Sequence, residues 1–154
     1  MEHLENHVVC QIGIVVRDVE ATAEKLSQMF GVPKGVKKGV GNLATDFDWK
    51  TEYKGHSADS SCYNLNMEFG SIQFELIQPI GDAPSVWQDF YDQHGEGVHH
   101  LAWKVSSTDD ATELFKGFGA EKLQTGTWGT GQYSYFDTEK IIGFTVEILE
   151  NFKK

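Results

Sequence analysis

Arginine is nearly missing from this chain. Of its 154 residues 13 are Lys or Arg, against 23 Asp or Glu, and Arg17 is the only arginine; the net charge is −10. A nucleic-acid binder needs clustered cations to neutralise phosphates, and an anionic membrane surface attracts the same residues, so neither partner is expected. Cysteine is scarce as well. Cys10 and Cys62 are too few for a disulfide framework in a chain of this size and read as reduced thiols of a cytosolic protein, Cys10 packing inside an apolar strand. No run approaches the about 18 apolar residues of a transmembrane helix. The start, MEHLENHVVC, has no basic region and no long apolar stretch, so no secretory signal is expected. What is present is 40% hydrophobic and 23% charged residues, which excludes a disordered chain. The length suits one domain, or two small similar modules, burying roughly 70% of the unfolded surface.

Val8 to Val16 is rich in β-branched residues and reads as a buried strand. Asp18 is a plausible N-cap for a helix carrying Val19, Ala23, Leu26 and Phe30 on one stripe, with Gly31 and Pro33 as its stop. Residues 34 to 60 read as a loop with one short strand. Cys62–Phe69 and Ile72–Ile77, around Gly70-Ser71, form a hairpin signal that Pro79 ends. Leu65, Met67, Phe69, Ile72, Phe74 and Leu76 share its core face; Asn64, Asn66, Glu68, Gln73 and Glu75 share the other, which either meets solvent or lines a wet cavity. A short helix is expected over Ser85–His94, a strand over Val98–Val105, and a second long helix from Asp109 or Asp110, with Ala111, Leu114, Phe115 and Phe118 as its stripe. Residues 125 to 131 read as a Gly-rich loop, and Tyr133–Phe136 and Phe144–Leu149 as the last strands.

The pattern repeats. Gln11-Ile-Gly-Ile-Val-Val, an acidic helix start and Phe30-Gly31 parallel His100-Leu-Ala-Trp-Lys-Val, an acidic helix start and Phe118-Gly119; Gln73-Phe-Glu75-Leu-Ile parallels Thr145-Val-Glu147-Ile-Leu. Two units of about 75 residues fill the chain. If Ile12, Ile14 and Val16 pack under the first helix, Gln11 points to the opposite face, and the same alternation turns Glu75, His100 and Glu147 away from their core neighbours. An amide oxygen, an imidazole and two carboxylates at matched places in two repeats can hold a divalent metal. A Glu in an apolar strand such as Phe144–Leu149 is costly unless paired or metal-bound, so these residues are the candidate site.

Over nearly its whole length the sequence resembles the vicinal oxygen chelate superfamily, which includes glyoxalase I and methylmalonyl-CoA epimerase. The resemblance rests on Gln11-Ile-Gly-Ile-Val-Val, Phe74-Glu75-Leu-Ile-Gln-Pro79, Gly95-Glu-Gly-Val-His-His100-Leu-Ala-Trp, Gly129-Thr-Gly131 and Val146-Glu147-Ile-Leu. It implies an α+β fold: a single domain over residues 1–154, made of two βαβββ modules, about 6–80 and 96–152, joined by a short helical connection and forming a curved mixed sheet around a metal site. It implies Gln11, Glu75, His100 and Glu147 as ligands of one divalent metal ion, Zn ahead of Ni, Co or Mn. His99 competes with His100; the alignment with Gln11 selects His100 and leaves His99 facing the core.

A single His among the ligands resembles the isomerase branch, in which the metal stabilises an enolate or enediolate and a carboxylate moves the proton. Glu147 is the first candidate base and Glu75 the second. The implied function is that of a metal-dependent isomerase or lyase of the glyoxalase/methylmalonyl-CoA epimerase group. Lactoylglutathione lyase proper and a non-catalytic binder of the bleomycin-resistance type are alternatives. Val15 stands where glutathione-type glyoxalases place an arginine. Asn64 and Asn66 stand where the epimerases carry a second catalytic Glu. Lys34, Lys37 and Lys38 are candidates to meet an anionic tail such as that of CoA, or form a solvated loop. The implied partners are a small molecule and, as a homodimer, a second copy of the chain; the expected location is cytoplasmic.

Overall fold

The computed structural model describes residues 1–154. In chain order it contains β1 (Val9–Val15), α1 (Val19–Phe30), β2 (Lys37–Val40), a 3-10 turn (Gly41–Leu43), β3 (Lys50–Tyr53), β4 (His56–Ser57), β5 (Ser61–Phe69), β6 (Ile72–Ile80) and α2 (Val86–His94). β7 (Gly97–Lys104), α3 (Thr108–Gly117), β8 (Lys122–Thr127), β9 (Gly131–Phe136), α4 (Glu139–Ile142) and β10 (Thr145–Asn151) follow. All ten strands join one curved mixed sheet in the order β2-β5-β6-β1-β7-β10-β9-β8-β3-β4, a glyoxalase-like α+β fold. No helix is long and apolar enough to cross a membrane.

At the centre of the sheet β1 and β7 run antiparallel, flanked by parallel partners, β6 beside β1 and β10 beside β7. The convex face is covered by the two long helices. α1 starts on Asp18, whose carboxylate accepts from the Glu20 and Ala21 N–H groups, and stops at Gly31 in the left-handed conformation. Its Val19 and Ala23 pack on Val16, Leu65, Met67 and Leu76. α3 contributes Ala111 to a matching cluster with Phe136, Val146 and Ile148. The hairpin alternation therefore reads correctly: the apolar face of β5 and β6 lies under α1 and the other face turns inward.

Several details depart from the sequence reading. Ser107, not Asp109 or Asp110, caps α3, accepting from the Asp110 N–H, and Phe118 lies past its end, exposed. Pro79 sits inside β6 rather than ending it. Beyond Ile77 that strand is paired only with β5, so a missing N–H is tolerated there. Residues 122 to 127 form a strand and Gly131 opens the next, so only residues 128 to 130 of the expected Gly-rich segment are a loop. Residues 34 to 60 hold three short strands. β3 and β4 are connected next to β2 at one edge of the sheet, yet β3 is hydrogen-bonded to β8 at the other, pairing Lys50 with Thr127 and Tyr53 with Gln124. Residues 41 to 49 thus cross the open mouth of the curved sheet. Such a pairing depends on a partner more than 70 residues away, and no local pattern announces it.

Candidate metal centre

Two adjacent rows of the central sheet build the site. In one, Glu75 of β6, Gly13 of β1 and His100 of β7 stand side by side. In the next, Gln11 of β1, Ala102 of β7 and Glu147 of β10 do the same. Each row therefore offers two functional side chains separated by a small residue, and the two rows are related by the same pseudo-symmetry that repeats the sequence. The small residues make convergence possible. A Cβ on Gly13 would lie 1.9 Å from Cε1 of His100, so the imidazole lies over a backbone without a side chain. Ala102 is fully buried. Sequence reasoning found the four polar residues and missed these two spacers, although a glycine inside a β-branched strand marks a close approach.

The ligand-type atoms of Glu75, His100 and Glu147 all lie within 4.8 Å of one another. Nε2 of His100 is 3.0 Å from Oε2 of Glu147 and 3.5 Å from Oε1 of Glu75. The Glu147 contact has hydrogen-bond length without hydrogen-bond alignment, and both of its atoms are left without a directed partner. Oε1 of Gln11 is likewise buried and unpaired, while its amide nitrogen donates to Gln73. Buried polar atoms are rarely left so. Three of them on the residues of one cluster, with two carboxylates and one imidazole, fit a divalent cation.

Burial makes the site electrostatically strong. The side chains of His100 and Glu147 are 0% and 3% exposed. Burial pushes the His100 pKa down, but Glu147 and Glu75 outweigh it and raise it to about 9. Burial pushes the Glu147 carboxyl up, against the pull of His100. Tyr135, paired with Glu147 across β9 and β10, packs against His100 with ring centroids 4.9 Å apart. Its hydroxyl accepts from Trp87 at 3.1 Å.

His99 does not follow strand alternation. Gly13 pairs with His100 and Ile14 with Val98, so His99 is the extra residue of a β-bulge. Instead of turning to the face opposite His100, its ring packs on Tyr135 and on Phe90 of α2. Its Nδ1 lies 2.9 Å from Nδ1 of His100. Burial and the neighbouring His100 hold its pKa well below the usual value, so it is neutral.

The cluster opens into a cavity of about 330 Å³. Asn64, Asn66 and Glu75 line it, so this part of the hairpin's polar face borders a cavity, while Glu68 of the same face meets solvent. Among the three loop lysines only Lys38 lines it; Lys34 and Lys37 pair with Glu24 and Glu20 of α1 at 3.5 and 3.7 Å. Arg17 is turned away, its Nε donating to the Tyr91 hydroxyl. Cys62 borders the cavity, but burial pushes its thiol well up and makes it a poor nucleophile. Cys10 is half-buried and donates to the Ala102 carbonyl at 3.3 Å.

Residues 10–136 match the family model of the Glyoxalase/Bleomycin resistance protein/Dioxygenase superfamily. The chain belongs to that superfamily. No curated protein matches it in sequence. Among solved structures, a hypothetical protein from Bacillus halodurans C-125 is similar with a TM-score of 0.66 at 17% identity, covering 96% of each chain. A methylmalonyl-CoA epimerase from Mycobacterium tuberculosis is similar with a TM-score of 0.62 at 16% identity, over 99% of this chain and 95% of that one. The Streptomyces coelicolor methylmalonyl-CoA epimerase in complex with 2-nitronate-propionyl-CoA gives 0.63 at 17%, over 94% and 97%. At these identities the likeness is one of fold.

Proposed function

We propose that this chain is a metal-dependent isomerase or lyase of the glyoxalase/methylmalonyl-CoA epimerase group. In this reading Gln11, Glu75, His100 and Glu147 hold one divalent cation, and Glu147 moves a proton next to a substrate carbonyl. The observation that carries it is the convergence of Glu75, His100 and Glu147 within 4.8 Å at the base of a cavity, beside the unpaired Gln11 oxygen. When bound, the cation supplies positive charge for the carbonyl oxygen as the neighbouring C–H bond is broken. Glu147 accepts the proton: a carboxylate ligand can leave the cation and take a C–H proton, and its burial keeps water from competing for it. Tyr135, tethered by Trp87, limits the space beside it. Glu75 is the second candidate base. With Asn64 and Asn66 on β5 in place of a carboxylate, proton removal and return are assigned to one residue. Arg17, engaged with Tyr91 outside the cavity, does not serve a glutathione carboxylate, which counts against lactoylglutathione lyase proper. A small-molecule substrate and a homodimer belong to the same proposal; light scattering reads the second.

The test is chelation followed by titration with Zn, Ni, Co or Mn. One ion per chain and a raised Tm are expected, and absence of both sinks the metal reading and favours a non-catalytic binder. A turnover panel of methylmalonyl-CoA, hemithioacetals of glutathione and bacillithiol, and hydroxyketones, each with several metals, then identifies the reaction.

A further inference from the structure

The walls of the cavity are more specific than its floor. Six aromatic residues border it: Phe47, Trp49, Trp87, Trp128, Tyr133 and Tyr135. Two of them, Phe47 and Trp49, come from the segment that crosses the mouth of the sheet. Trp49 meets Trp128 with ring centroids 5.8 Å apart at 42°, and Tyr133 at 6.3 Å. At that separation the two indoles touch each other and leave no slot between them; they form a corner on which a flat ring stacks against one face and meets the edge of the other. The corner is built deliberately at the backbone. A Cβ on Gly131 would lie 2.5 Å from both the Trp128 ring and the Glu150 carbonyl oxygen, so the absence of a side chain there lets the indole close over the cavity wall.

The corner also carries an unmet polar demand. Nε1–H of Trp49 is buried and has no acceptor, whereas buried indole N–H groups normally find one. Oδ1 of Asn66 is buried and unpaired on the same cavity. At about 330 Å³ the space is at the small end for a ligand pocket, so a large carrier has to lie outside it.

We propose that the cavity takes a compact substrate with a planar aryl ring beside its pair of vicinal oxygens, an aryl α-hydroxyketone or aryl 2-oxo compound. The oxygen pair rests on the metal reading above; the aryl ring rests on the aromatic corner alone. Isothermal titration of α-hydroxyacetophenone against its cyclohexyl counterpart, of similar size but not flat, separates ring stacking from simple apolar burial. About tenfold tighter binding of the aryl compound is expected. That preference should disappear in Trp49→Ala and Trp128→Ala and persist in Trp49→Phe, which keeps a ring. Equal affinities, no binding of the aryl compound, or a preference that survives both alanine variants overturns the inference. Running the titrations with chelated and zinc-loaded protein keeps the two proposals apart. An aryl preference combined with affinities of both compounds that zinc leaves unchanged supports the ring and rejects the metal reading. Zinc-dependent turnover of CoA or aliphatic substrates without any aryl preference does the reverse.

Discussion

The imidazole of His100 stands where a side chain at position 13 would begin. The two residues face each other across β1 and β7, with the Glu75 strand on the other side of Gly13, so a backbone without a Cβ lets the imidazole reach over to the carboxylate. A Cβ 1.9 Å from the ring cannot be accommodated by small adjustments, because β1 is hydrogen-bonded on both edges. Gly13→Ala should displace His100, lower zinc affinity at least tenfold and cost about 1–3 kcal/mol of stability. Zinc titration and thermal unfolding read the two effects, and unchanged zinc affinity would show that His100 is not a ligand.

His99 is placed to set the tautomer of its neighbour. For Nε2 of His100 to face the carboxylates with a free lone pair, its proton must sit on Nδ1, donating across 2.9 Å to the unprotonated Nδ1 of the neutral His99. His99→Phe fills the same space against Phe90 and Tyr135 without accepting that proton. It should reduce metal affinity about 10- to 100-fold while the fold persists by circular dichroism. An unaltered affinity assigns His99 to packing alone.

Glu147 is expected to carry both chemistry and charge. Glu147→Gln should abolish deuterium exchange at the substrate α-carbon, whereas Glu75→Gln, if Glu75 is only a ligand, should weaken metal binding and leave residual exchange. In chelated protein the same variant has a pH signature. The His100 pKa is raised to about 9 from 6.5, chiefly through Glu147 acting against burial. The contribution of the His100 titration is therefore complete below pH 6.5 and is lost as pH rises through about 9. The wild-type Tm should fall over that interval, and the fall should be much smaller in Glu147→Gln.

Glu150, three residues beyond Glu147 on β10, gives an opposite pH response. Its carboxylate accepts from the Thr108 N–H at 2.9 Å, at the start of α3, and from Gln132 at 3.0 Å. Slight burial raises its pKa, but these hydrogen bonds prevail and hold it below 4.5. Its contribution is present above pH 4.5 and lost as pH falls through the lower folded value. The Tm gap between wild type and Glu150→Gln should narrow below that pH; a gap that stays constant into acid would remove Glu150 as the anchor of α3.

Much of the α+β fold was readable from local patterns. The β-branched run of β1, the Asp18 cap and Gly31 stop of α1, and the alternation around Gly70-Ser71 each encode a local geometry, and all three stand in the structure. The residues brought together were readable too, because strand periodicity and the internal repeat put Gln11, Glu75, His100 and Glu147 on equivalent inward positions. Ser107 is not legible as the cap of α3 because Asp109 and Asp110 follow it closely and carry the same local signal.

The sequence by itself therefore determined which side chains face inward, since a period of two along a strand needs no partner to be expressed. Only the tertiary structure decided how they meet. A bulge at His99 cancels the alternation and turns that ring onto Tyr135 and against His100. Gly13 and Ala102 become spacers only once β1 and β7 are set in register. The aromatic corner exists only because β3 leaves one edge of the sheet and pairs with β8 at the other. Each of these depends on contacts between residues far apart in the chain, whose register is set by packing and closure of the whole sheet rather than by any local preference.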